Sequence, residues 1–207
     1  LSDSEIGVCS SYRINSTTVD MDGLDIESGN IFDGKDILYK QLNKEIDISG
    51  TTTTLMFSIA HLEKLNNYPN IFGHKLHPDT ELFYEILNIS KVGFIYQVLS
   101  YTRRHEESGT STVVPQLGTI YQLHESLLHR FKGSNEQLNR QYRRQRLSYA
   151  YFFIKSVLLN RKVAVAYHKQ NLPRWFSLKE YSVALLTENK FSKIIKRILS
   201  KLDRKKI

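Results

Sequence analysis

The pattern of secondary-structure signals changes at Gly118. Before this residue, segments of β-type composition alternate with short amphipathic helices, and after it the periodic segments have helical spacing. Alternating strands and helices predict a sheet covered by helices, whereas continuous helical spacing predicts a helical region. We therefore expect an α/β domain in residues 1–118, followed by an all-helical region in residues 119–207.

The distribution of charge changes at the same place. Residues 1–118 hold 9 Lys or Arg against 16 Asp or Glu, whereas residues 119–207 hold 20 against 5. The net charge of +8 is thus concentrated in the second part, and an anionic partner is expected to bind there. The single cysteine, Cys9, excludes a disulfide within this sequence and fits a reducing, cytoplasmic compartment. The longest apolar stretch, YAYFFIKSVLL, is interrupted by Lys155 and is too short to span a bilayer.

Two strands and two helices are predicted most clearly in the first part. The strands are expected at 5–14 and 91–104, and the helices at 34–46 and 77–90. Gly93 marks a bulge or a close approach within the second strand. Pro78 lies near the first turn of the second helix, where its missing N–H costs nothing. The segment TTTTLMFSIA, residues 51–60, fits either a buried strand or the lead-in to the next helix.

The apolar faces of the two helices predict the core of the first part. Their residues recur at helical spacing, and they are Ile37, Leu38, Leu42 and Ile46 in the first helix and Leu82, Phe83, Ile86 and Leu87 in the second. In the second part, helices are expected at 119–131, 136–162, 176–188 and 190–206, with a Gly-Ser-Asn break at 133–135.

Three segments in this order resemble the second half of a family 2 glycosyltransferase of the GT-A type. They are SGTTTTLMF, HPDTELFYEIL and KVGFIYQVLSYTRRHEESGTS. In that family a helix that opens with an acidic pair is followed by a strand that ends in Tyr-Arg-x-His-x-x-Ser. The residues in step with the strand are Gly93, Ile95, Leu99, Tyr101, Arg103, Arg104, His105 and Ser108. The resemblance implies an incomplete GT-A-type mixed sheet with flanking helices, followed by a basic helical tail.

The resemblance implies a sugar transfer with inversion. The donor would be a nucleotide-diphosphate sugar of the UDP or GDP type, and the acceptor a hydroxyl of a glycan or a lipid-linked carrier. Such enzymes serve polysaccharide biosynthesis on the cytoplasmic side, in part as peripheral proteins at the inner face of the membrane. The family's nucleotide-binding half, which ends in an Asp-x-Asp motif, has no counterpart in this sequence. We therefore expect a fragment or a truncated relative.

Asp79 is the candidate catalytic residue. Sugar transfer to a hydroxyl needs a base for the acceptor proton, and the first turn of a helix favours a carboxylate. The resemblance places Asp79 at the family's acceptor-side base, although Pro78 replaces the first residue of the acidic pair. The alternative is that Asp79 only starts the helix. Glu81 is a candidate second contact to the substrate, with a solvated position as its alternative.

Arg103, Arg104, His105 and Ser108 are the candidate substrate-binding residues. Fixed cations stabilise the negative charge of a departing nucleoside diphosphate, and hydroxyls add hydrogen-bond donors. The resemblance places this segment over the donor's diphosphate, with His105 as a ligand to a divalent Mn or Mg. The alternative is a charged loop in which Glu106 and Glu107 neutralise the arginines.

Two other groups resemble metal sites less well. Asp20 and Asp22 spell Asp-x-Asp, but they follow RINSTTV and precede a glycine, unlike the family's metal motif. His74, His77 and Asp79 have a spacing that fits no common ligand pattern, so loop histidines near an acceptor cleft are the simpler interpretation.

The basic second part has three candidate roles. The helix at 190–206 has an apolar stripe among lysines, which suits an anionic membrane interface, and the same stripe also suits packing on the first domain. The cluster Tyr142, Arg143, Arg144 and Arg146 mixes an aromatic ring with cations, as nucleic-acid binders do. Because the acidic first part would repel a phosphate backbone, the transferase hypothesis includes no nucleic acid. The alternative to an enzyme is a non-catalytic basic helical module that binds anionic membrane or nucleic acid.

Overall fold

The structure is a computed structural model that describes residues 5–15, 18–19, 24, 29–49, 54–65, 77–102 and 118–170. The strands are β1 (Ile6–Asn15), β2 (Thr18–Val19), β3 (Ile31–Asp33), β4 (Met56–Phe57) and β5 (Lys91–Thr102). The helices are α1 (Gly34–Leu42), α2 (Ile59–Lys64), α3 (Pro78–Ile89), α4 (Thr119–Phe131), α5 (Glu136–Leu158) and α6 (Lys162–Gln170). The chain is therefore mixed α/β, as the sequence predicts.

The chain divides into two compact units, residues 1–142 and residues 143–207. The first unit contains the sheet, helices α1 to α4 and the beginning of α5. The change of charge at Gly118 lies inside this unit.

The sheet is built on a parallel pair, β1 and β5. Strands β2 and β4 pair antiparallel with β1, and β3 pairs antiparallel with β5. Parallel neighbours need a long crossover, which contains α1, α2 and α3. The β1–β5 register shifts before Val8 and on both sides of Tyr12, and such irregularities bend a sheet. A Cβ on Gly93 would lie 2.7 Å from the sulfur of Cys9, which confirms the close approach predicted there.

The predicted apolar faces form the core of the first unit. Leu82, Phe83, Ile86 and Leu87 of α3 are buried, as are Ile37, Leu38 and Leu42 of α1, whereas Ile46 is only partly buried. The same core contains apolar residues of the sheet and of the two helices that follow it, namely Val8, Val92, Phe94, Leu123, Leu127, Leu128, Leu138 and Tyr142. Helix α4 is thus part of the unit that carries the sheet.

Three predicted elements differ from the structure, and the first is the helix predicted at 34–46, which ends at Leu42. In segment 51–60 the strand β4 has only two residues, and Met56 is 59% exposed. The prediction of a buried strand is therefore wrong, and the alternative, a segment that leads into α2, is confirmed. The helix predicted at 136–162 ends at Leu158 because Asn160 adopts a left-handed backbone with φ 52°. Asparagine is one of the few residues that adopt this conformation readily, and a second helix, α6, follows.

The second unit has a small aromatic core within residues 143–170. Tyr149 and His168 are fully buried, and the Tyr149 hydroxyl lies 2.9 Å from Nδ1 of His168. The rings of Phe152 and Phe153 pack edge-on against the same imidazole. A hydrogen bond between two buried rings satisfies both polar groups and joins α5 to α6.

Several sequence-based expectations lie outside the described residues. They are the helices at 176–188 and 190–206, the proposed membrane contact at 190–206, and the motif at Asp20 and Asp22. In the part of the chain that the structure describes, none of the helices is both long enough and apolar enough to cross a bilayer.

Gly34→Ala tests the packing between α1 and α3. A Cβ at Gly34 would overlap the carbonyl oxygens of Leu87 and Ser90, which belong to the backbone and cannot rotate away. We expect the free energy of unfolding to fall by about 2–3 kcal/mol in urea denaturation. The control is Gly133→Ala, where the space is open and only the left-handed φ of 44° adds cost, about 1 kcal/mol. Equal losses in the two variants would contradict this packing.

Candidate functional site

The candidate base lies in the first turn of α3. The helix begins at Pro78, so Asp79 is its second residue and is partly buried. One carboxylate oxygen of Asp79 accepts a hydrogen bond from the backbone N–H of Thr80 at 2.9 Å. The sequence predicts this position correctly, because proline is tolerated where the backbone N–H has no intrahelical acceptor.

A hydrogen bond joins the start of α3 to the start of α4. Nε2 of His77 lies 2.9 Å from the hydroxyl of Thr119, and both residues stand at the amino ends of their helices. Gly118 precedes Thr119 with φ 66°, a left-handed turn that favours glycine. His77 and Thr119 are therefore the structural neighbours of Asp79 at this end of the two helices.

The two helices are also joined at their carboxyl halves. The Arg130 guanidinium of α4 pairs with the Glu85 carboxylate of α3, and the Phe131 ring stacks on Tyr84 with centroids 6.5 Å apart. With His77 bound to Thr119 at the other end, α3 and α4 must run in the same direction. This parallel arrangement holds the first turn of α4 beside Asp79.

The remaining candidate residues lie in segment 103–117, and the structure describes the residues on either side of it. Segment 103–117 follows Thr102, the last residue of β5, and precedes Gly118 at the start of α4. Arg103, Arg104, His105 and Ser108 lie in this segment, outside the described residues, so their roles stay predictions. The structure does fix where the segment ends, which is next to the residue that binds His77.

Glu81 is buried, with 1% of its surface exposed, so the solvated alternative is wrong. Polar residues of α4 are buried too, and they are Thr119, Gln122 and Glu125. A buried carboxylate is stable only when neighbouring groups compensate its desolvation. The start of α3 and α4 is therefore lined by polar groups that the fold keeps away from bulk water.

The sequence pattern does not indicate that the polar residues of α4 are buried. Thr119, Gln122 and Glu125 recur every three residues, a spacing that places them along one side of a helix. A polar stripe of this kind predicts a solvated face, because the sequence does not show which helix packs against it. The sequence predicts His77 only as a loop histidine. Its contact with Thr119 joins residues 42 positions apart in the chain, so no local pattern indicates it.

Two histidines near the site are held in the neutral form. Burial lowers the pKa of His124 to about 4, with help from the charge of Lys44 and, when it is protonated, of His77, and against the opposing charge of Asp47. Burial also lowers the pKa of His77, although the carboxylate of Asp79 acts in the other direction. At neutral pH the imidazole next to Asp79 is therefore uncharged.

The described residues contain no group of three or more His, Cys, Asp or Glu side chains placed to hold a metal ion. The pair His77 and Asp79 comes together, whereas His74 lies outside the described residues. The divalent metal and its ligand His105 stay predictions.

Comparison of the chain with protein-family models, with curated proteins and with solved structures finds no match.

The lowered pKa of His124 predicts a loss of stability in mild acid. The unfolded chain binds a proton near the ordinary value of 6.5, whereas the folded chain resists it until about 4. The contribution of His124 to the free energy of unfolding is therefore fully present above the pKa of the unfolded chain. It is lost as the pH drops from 6.5 towards 4, by roughly 3 kcal/mol.

Urea denaturation at several pH values measures this slope, and His124→Asn should flatten it. His129→Asn is the matched control for the replacement of a histidine by asparagine, because His129 is exposed on the same helix. An unchanged slope in His124→Asn would contradict the assignment.

Proposed function

We propose that this chain is the acceptor-side part of an inverting, nucleotide-sugar-dependent glycosyltransferase of the GT-A family 2 type. The acceptor hydroxyl attacks the anomeric carbon of the donor, and the bond from that carbon to the diphosphate oxygen breaks. The hydroxyl proton passes to the carboxylate of Asp79, and the nucleoside diphosphate leaves. Attack on the face opposite the leaving group inverts the anomeric centre.

The bond between His77 and Thr119 is the observation that carries the proposal. It brings the end of segment 103–117 to the first turn of α3, two residues from Asp79. The contact fixes where the chain re-enters the fold after the segment proposed to bind the diphosphate, which is close to the proposed base. A reaction that needs a base and a diphosphate site within a few ångströms is consistent with this arrangement.

The surroundings of Asp79 support its role as a base. Its side chain is only partly buried, so an acceptor hydroxyl can reach it. The neutral imidazole of His77 leaves the carboxylate as the anionic group, and it can donate or accept a hydrogen bond without neutralising that charge. General-base catalysis by a positioned side chain contributes about 10²–10⁴-fold to a rate.

Arg103, Arg104 and Ser108 are proposed to hold the diphosphate, with Glu81 as a further polar contact at the start of α3. A bound Mn²⁺ or Mg²⁺, held by His105, would supply neutralisation of the charge that develops on the leaving diphosphate. The incomplete GT-A-type sheet, the basic helical tail and a peripheral membrane contact through 190–206 belong to the same proposal. They would bring a glycan or lipid-linked acceptor to the site.

Asp79→Asn tests the base, with Asp36→Asn as the matched control. Asp36 is also a carboxylate in the first turn of a helix, α1, and it is exposed. In a protein that joins this chain to the nucleotide-binding half, we expect Asp79→Asn to lower the rate of nucleoside diphosphate release from UDP- or GDP-sugars about 10²–10⁴-fold, with acceptor and Mn²⁺ or Mg²⁺ present. Nucleotide binding measured by calorimetry should remain, and Asp36→Asn should retain the parent rate.

Two results would count against the proposal. If Asp79→Asn and Asp36→Asn lose the same small amount of activity, Asp79 only starts the helix. If the unaltered protein that contains both halves neither releases nor binds a nucleoside diphosphate, the transferase assignment is wrong.

A further inference from the structure

We propose that the turn between α5 and α6 inserts into an anionic lipid surface. The inserting group, here named the apolar tip, consists of Val157, Leu158, Leu159 and Val163. This contact lies in the second unit and does not depend on the proposed sugar transfer.

The apolar tip is exposed to an extent that is unusual for such residues. Val163 is 71% exposed, Val157 48%, Leu158 47% and Leu159 37%. Single exposed apolar side chains are common on soluble proteins and need no explanation. Here four large apolar side chains are exposed within seven consecutive residues around one turn, and such a concentration of exposed apolar side chains suggests a contact surface.

The backbone of the turn suits a medium that lacks water. The N–H of Arg161 donates to the carbonyl of Ser156, and the N–H of Asn160 donates to the carbonyl of Val157. With Asn160 in the left-handed conformation, these two bonds form a Schellman ending, which satisfies carbonyls at the end of α5. The turn can therefore approach the acyl region with fewer unsatisfied carbonyls than an uncapped helix end.

The charges around the apolar tip favour an anionic surface. Arg161 is exposed in the segment that connects α5 to α6, Lys162 is exposed at the start of α6, and Lys155 lies one helical turn before Leu159. Residues 143–170 hold 7 Lys or Arg and no Asp or Glu. Each cation near an anionic bilayer strengthens partition about fivefold, so the cations attract the lipid surface that the apolar side chains enter.

A membrane fits the apolar tip better than a nucleic acid does. Single-stranded nucleic acids bind cations together with aromatic side chains on which bases stack. The aromatic residues Tyr149, Phe152 and Phe153 are instead buried in the core of the second unit. Aliphatic side chains at the end of a helix, flanked by cations, match an interfacial contact that reaches about 5–10 Å into the headgroup region.

Vesicle co-sedimentation of the full chain tests the proposal. The vesicles are phosphatidylcholine alone, or phosphatidylcholine with about one third phosphatidylglycerol, at a stated salt concentration. We expect the chain to bind the anionic vesicles at least about tenfold more tightly than the neutral ones. Val157→Ser/Leu158→Ser/Val163→Ser should weaken that binding about tenfold or more, because these side chains no longer leave water for lipid.

Matched single variants keep the result independent of folding. Val163→Ser and Ile59→Ser each replace a β-branched residue of nearly equal exposure, 71% and 73%, and Ile59 lies in the first unit. We expect Val163→Ser to weaken vesicle binding and Ile59→Ser to leave it unchanged, with circular dichroism confirming the helix content of both. Arg161→Gln/Lys162→Gln should weaken binding to anionic vesicles and leave the weak binding to neutral vesicles unchanged.

Three results would overturn the proposal. The first is no binding to anionic vesicles. The second is equal vesicle binding by the parent and by the triple variant, which would place any membrane contact elsewhere, such as at 190–206. The third is tight binding to a single-stranded RNA oligonucleotide that displaces the chain from vesicles and is unaffected by the triple variant, which would assign the cations to nucleic acid.

Discussion

The contacts between α3 and α4 are the constraint on which the proposed site depends. The two helices are joined at one end by His77 and Thr119 and at the other by Glu85 and Arg130, so they run parallel. The apolar residues of α3 reach the sheet in the same core as those of α4. Because α4 follows segment 103–117 directly, this pairing decides where the segment returns to the fold. The chain is described again from Gly118, next to the residue that contacts His77, two positions before Asp79.

The same pairing creates an unusual electrostatic environment. Glu81 and Glu125 are withdrawn from water, and burial keeps His124 neutral well below neutral pH. Polar groups in such surroundings interact more strongly than they would in water, so each must be compensated within the fold. Buried polar groups of this kind lower the stability of the fold and create a fixed local electric field. Functional sites often combine these two properties.

The sequence predicts the elements well where periodicity alone decides the outcome. The four apolar residues of α3 recur at helical spacing, and all four are buried, as the pattern indicates. The sequence is a poorer guide where the structure of a segment depends on another element of the fold or on a single backbone angle. Asn160 ends a helix that its neighbours would continue, and Glu81 and Gln122 are buried only because two helices meet there. Four of the six candidate site residues, Arg103, Arg104, His105 and Ser108, lie outside the described residues, and their assignment depends on a resemblance of motifs rather than on geometry.

The central claim is that the first turn of α3, with the first turn of α4, forms the functional centre. An NMR titration with UDP and with GDP, in the presence of Mg²⁺, tests it most directly when this chain is isotope-labelled within a protein that also contains the nucleotide-binding half. The account predicts that the amides of Asp79, Thr80 and Thr119 shift together with those of segment 103–117, and that Thr119→Val reduces these shifts. Shifts confined to residues far from these two turns, or no shifts with either nucleotide, would contradict it.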